Sequence, residues 1–109
     1  MAKHGFGIMD IPPVHGQRYD EHEPQKYNCI SVDDDYIEGI MEKLLVFDSF
    51  CHTLDIPMKG LNYCGITLIP PTSLAAFLEV IANGSEYEEL RKLLIVAKNR
   101  NKFVLHYGI

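Results

Sequence analysis

The sequence predicts one α/β domain, with α+β as the variant: two layers, about three strands, and helices packed on the sheet. Three observations point there. The chain has 109 residues, enough for one hydrophobic core and not two. Its 47% hydrophobic and 23% charged residues sit in the ordinary globular range, which sets aside disordered and fibrous classes. After residue 27, apolar residues recur with periods of two and of three to four, giving an order of arm, β, α, β, α, α, β.

The arm, residues 1–27, is punctuated by Pro12-Pro13, Gly16 and Pro24 and is rich in His and charge. Phe6, Ile8, Met9, Ile11, Val14 and Tyr19 are too apolar for a free tail. The expectation is an extended segment laid on the domain of residues 28–109, with an edge strand around Phe6–Ile11. Gly5-Phe6-Gly7 has no preceding strand and makes no nucleotide fingerprint.

Cys29 to Val32 reads as a short strand. Asp33-Asp34-Asp35 then opens a helix, with carboxylates where the free backbone amides favour them. Ile37, Ile40, Leu44, Phe47, Cys51 and Leu54 step by three and four, so the helix is expected to run on through 48–55, although Phe50, His52 and Leu54 also alternate. Pro57 and Gly60 end it. Leu61 to Ile69 alternates as a strand, and Pro70-Pro71-Thr72-Ser73 starts a helix with Leu74, Phe77, Leu78 and Ile81 inward. Asn83-Gly84 stops that helix. Ser85 with Glu88 has the spacing of a capping box for the next, whose inward residues are Tyr87, Leu90, Leu94 and Ala97. Phe103 to Tyr107 reads as a closing strand.

The net charge is −5, which opposes binding to phosphate backbones, so nucleic acid is not an expected partner. Residues 1–50 hold ten acidic and four basic residues, whereas 51–109 hold five and six, so the acidity is located in the first half. Arg91, Lys92, Lys98, Arg100 and Lys102 gather toward a helix C-terminus, where cations complement the dipole. The longest apolar run, Leu93–Ala97, is far short of a membrane span. No apolar stretch follows Lys3, so no signal peptide is expected. Three cysteines, an odd number, suit reduced thiols in the cytoplasm rather than a disulfide framework.

Carboxylates after a strand can hold Mg²⁺, but no Gly-rich phosphate loop accompanies Asp33–Asp35, and helix polarisation accounts for the run. His4, His15, His22, His52 and His106 form no closely spaced pairs with Cys29, Cys51 and Cys64 of the kind that structural zinc requires. Cys51 and Cys64 have apolar neighbours and are expected buried and inert. No metal, cofactor or catalytic residue is assigned.

What remains is a surface. The expected function is a protein-binding module, a small acidic inhibitor that neutralises a basic partner such as a bacterial toxin. Small immunity proteins have this general profile, a likeness of class and not of motif. The candidate contacts are Asp20, Glu21, Glu23, Asp33, Asp34, Asp35, Glu38 and Glu42, with Tyr19, Tyr27 and Tyr36 as aromatic anchors. A small metal-dependent enzyme using the Asp run or the histidines is one alternative. A structural homo-oligomer subunit is the other.

Overall fold

Six strands form one sheet in the order β2-β1-β6-β5-β3-β4, and all five pairings are antiparallel. The computed structural model describes residues 2–109. Strands β1 (Lys3–Met9) and β2 (Ile30–Asp33) precede helix α1 (Asp34–Glu38); β3 (Asp48–Cys51), β4 (Pro57–Lys59) and β5 (Ile66–Ile69) follow it, and helices α2 (Leu74–Val80) and α3 (Glu88–Asn99) lead to β6 (Phe103–Tyr107). The radius of gyration is 12.4 Å, against about 13 Å for a single domain of this length. The class is α+β. No helix among the described residues is long and apolar enough to cross a membrane.

The strand count departs from the expected three for two physical reasons. Residues 48–55 are not helical. Helical turns do run from Asp34 to Val46, but Phe47 is extended, and β3 pairs with β4 on one side and β5 on the other. The alternation of Phe50 prevailed over the three-to-four stepping of Cys51 and Leu54. The arm also contributes more than an edge: β1 lies between β2 and β6, inside the sheet. The strand read over 61–69 is shorter, Ile66–Ile69, because Leu61 to Gly65 turns under it.

Crossover geometry explains why no strands run parallel among the described residues. One helix between two strands returns the chain to a parallel neighbour; two successive helices, α2 and α3, return it antiparallel, and β5 and β6 are adjacent. Pro57 and Lys59 sit on the edge strand β4, where a missing donor and a charge discourage further pairing.

Alternation divides the sheet into two faces. Phe6, Val32, Ile69 and Val104 point toward the helices and join Ile37, Leu44, Leu74, Phe77, Ile81, Leu90, Leu94 and Ala97 in the larger core. Met9, Ile66, Leu68, Leu105 and Tyr107 point the other way into a smaller core, closed by Tyr19, Tyr27, Leu54 and Phe103. The arm is the lid of that second core. Its approach is close: a Cβ on Gly7 would lie 2.7 Å from both the Cβ and the carbonyl oxygen of Tyr27. The Gly-Phe-Gly sequence thus serves packing.

Neither expected side-chain cap forms. Asp33 makes no capping bond at α1, and Ser85 opens a 3-10 turn that leads into α3 without a capping box. Cys64 is exposed and Cys51 half-buried, which corrects the expectation that both are buried; all three cysteines are free. Cys64 sits on the turn before β5, outside the strand whose residues are buried.

Candidate functional site

The eleven candidate contacts fall into two groups on opposite sheet faces. Tyr19, Asp20, Glu21, Glu23 and Tyr27 belong to the arm, around a cleft of about 220 Å³ floored by Leu105 and Tyr107. Asp34, Asp35, Tyr36, Glu38 and Glu42 belong to α1 and the turns that follow, on the helix side, and Asp33 ends β2 beside Lys3 at the sheet edge. No single flat surface covers both.

The arm acids are largely spoken for. Arg18 donates two hydrogen bonds to Asp20, and the Nδ1 of His52 lies 2.9 Å from the same carboxylate. These bonds hold the Asp20 carboxyl below the usual range, the Arg18 bond being the largest cause. Lys26 lies 3.8 Å from Glu23. The Tyr19 N–H donates to the His52 carbonyl and the Glu23 N–H to the Tyr107 hydroxyl, so this stretch is a fastened strap. His52 adopts a left-handed backbone, φ +62°, and its side chain faces the strap while its Nε2 accepts from the Ile66 N–H.

The α1 acids differ. Ile37, Ile40 and Leu44 are buried. Turn hydrogen bonds continue from Gly39 to Leu45, so Asp35, Glu38 and Glu42 recur every three to four residues on the solvent side. Among the described residues none of these three has an ion-pair partner, whereas Asp33 lies 3.7 Å from Lys3. Tyr36 is 42% exposed and stands edge-on to Tyr87, whose hydroxyl donates to the Tyr36 carbonyl. The result is an unneutralised acidic edge with one aromatic ring beside it.

Carboxylate oxygens of Asp34, Asp35 and Glu38 lie within 4.8 Å of one another. Asp34, however, is already engaged: its Oδ1 accepts from the Tyr63 hydroxyl at 2.6 Å and from His4 Nε2 at 2.9 Å. The two bonds hold the Asp34 carboxyl below the usual range, Tyr63 first, and the Asp34 bond, with burial, pushes the Tyr63 phenol up to about 12. That engagement makes the trio a poor free cage for a cation.

Behind Asp34 lies an arrangement that sequence reading missed. His4, His106 and Thr67 are buried on the helix face of β1, β6 and β5. His4 Nδ1 is 2.8 Å from His106 Nε2, and His106 Nδ1 is 2.9 Å from the Thr67 hydroxyl, which accepts from the Asn62 N–H at 2.8 Å. The imidazoles stack at 5.1 Å, and Phe6 leans on His106 at 4.9 Å. One sense of hydrogen bonding satisfies the whole row. Asn62 N–H donates to Thr67, Thr67 O–H to His106 Nδ1, His106 Nε2–H to His4 Nδ1, and His4 Nε2–H to the Asp34 carboxylate. Both rings are then neutral, and burial, with His4 beside it, holds His106 well below the usual histidine range. The sequence signal was a histidine inside each of two apolar strands, but 102 residues separate them. Comparison with protein-family models, with curated proteins and with solved structures finds no match to this chain.

Proposed function

We propose that this chain is a protein-binding module that docks the acidic edge of α1 onto a basic partner, in the manner of a small inhibitor or immunity-type protein. One observation carries the reading: Asp35, Glu38 and Glu42 share an exposed edge with no ion-pair partner among the described residues, while Asp20 and Glu23 of the arm are paired with Arg18 and Lys26. An unpaired acidic edge raises the encounter rate with a basic surface and gains from each charge neutralised there. Tyr36, half exposed at the same edge, supplies an aromatic contact of the kind that anchors interfaces. The acidity disfavours nucleic acid as the partner. Free thiols on all three cysteines suit a reducing cytoplasm.

The test is recovery of the partner with tagged protein at low salt, from cells carrying the natural gene, followed by binding kinetics with the purified pair. The double substitution Asp35→Lys/Glu38→Lys is expected to slow association about tenfold or more. Glu21→Lys on the arm and Glu89→Lys on α3 should leave it within about twofold. Failure to recover a partner, or binding indifferent to salt and to the α1 reversals, overturns the reading.

A further inference from the structure

We propose that the His4–His106 pair is a proton-sensitive lock beneath the Asp34–Tyr63 cover, closed while both rings are neutral and opened by mild acid. The inference rests on the geometry of the row and is independent of any partner.

The directed chain has one sense that satisfies every member. A proton added to either ring makes His106 Nδ1 a donor, because its Nε2 must then either accept from His4 or donate to it as an imidazolium. Thr67 would receive hydrogen bonds from both His106 and Asn62, and its own O–H would lose the acceptor it has. A buried hydroxyl without a partner is costly, and so is a charge in the layer formed by Phe6 and, beyond it, Phe77. Stacked rings at 5.1 Å also oppose holding two charges together.

The groups facing the pair define the direction of response. From α1, Asp34 contacts His4; from the loop before β5, Tyr63 packs its ring 5.3 Å from His4 and donates to Asp34. Asp35 and Glu38 add negative charge farther out on α1. Lys3 and Asp33 pair at the neighbouring strand register. Thr67 on β5 and Phe6 on β1 carry no charge. A single imidazolium at His4 is therefore partly offset by Asp34, whereas His106 has no anion against it.

The sign follows. An unfolded chain takes up a proton on a histidine below about pH 6.5, and His106, held well below that value by burial, refuses it while the fold is closed. Stability is full above that pH and is lost as pH falls, the unfolding constant rising about tenfold per pH unit for one such group. The lowered Asp34 carboxyl acts only further down, below the ordinary carboxylate range near 3.9. Water reaches the rings most directly by lifting the cover, since Asp34 and Tyr63 are only part-buried.

Urea unfolding of the full chain from pH 7.5 to 5 tests the lock. The expected result is a roughly tenfold rise in the unfolding constant per unit below pH 6.5, abolished in His106→Gln and kept in His22→Gln. Ring ¹⁵N NMR of the unsubstituted protein serves if His106→Gln does not fold: His106 should keep the Nε2–H tautomer at pH 5.5. Hydrogen exchange on acidification should accelerate for amides of 34–38 and 62–65 before those of 88–99. A flat stability profile, a His106 ring that titrates near 6.5, or uniform acceleration of exchange overturns the proposal.

Discussion

The two faces of the sheet use the same strands and are closed in different ways. Toward the helices, Phe6, Phe77 and Phe47 interlock with 6.0 Å and 5.2 Å ring separations under α2, beside a row of satisfied polar groups. Toward the arm, five buried residues are covered by a strap with no regular helix longer than one 3-10 turn, Pro24–Tyr27. The helix face holds its cover by area; the arm face holds it by a few hydrogen bonds and one close backbone approach. Local stability follows burial and bonding, so the helix face should govern global unfolding and the arm face should open first.

The largest effect expected from that contrast is at Phe77, which is wholly buried between two aromatic rings. Phe77→Ala should cost about 3–5 kcal/mol, read by urea unfolding. A loss no greater than about 1 kcal/mol would mean that α2 is not the principal cover.

Gly7→Ala probes the other face with a single methyl. That methyl meets the Tyr27 backbone, which cannot move without shifting the strap. Overpacking of this kind costs about 1–3 kcal/mol, and the Tyr19 and Glu23 amides, which bond to His52 and Tyr107, should exchange faster while α3 stays protected. Equal loosening of α3 would break the distinction between the faces.

Elements that stand on local pattern were legible. Strand β6 occupies Phe103–Tyr107 as expected, and of the inward residues expected for the last two helices Leu74, Phe77, Ile81, Leu90, Leu94 and Ala97 are fully buried, while Leu78 and Tyr87 are only half-buried. Elements that depend on distant partners were not. Strand β1 contains two glycines, which lower strand propensity, and takes its place inside the sheet only because β2 and β6 flank it. Segment 48–51 has apolar spacing compatible with either period, and pairing with β5 decided it. The site divides the same way. Asp35, Glu38 and Glu42 were legible as an acidic helical edge, whereas no local rule could join His4 to His106 or Tyr63 to Asp34, because those contacts arise from strand register.

The smallest expected effect is also the most specific. Tyr63→Phe deletes one hydroxyl from the rim of the helix face and leaves the ring that packs on His4. Its hydrogen bond favours the charged form of Asp34 and is the first cause of that carboxyl's low titration. Without it the Asp34 carboxyl should titrate closer to the ordinary aspartate value, as read by side-chain ¹³C NMR. Because a lowered carboxyl contributes stability that is present above the unfolded aspartate value and lost as pH falls through its folded-state titration, the variant should lose less stability over that acid interval and complete the loss at a higher pH. Stability at neutral pH should fall only by the linkage given up as the Asp34 titration rises, if the rim is as separable from the helix core as the contrast requires. If Asp34 titrates as before, His4 alone holds it, and the cover over the histidine row is one bond rather than two.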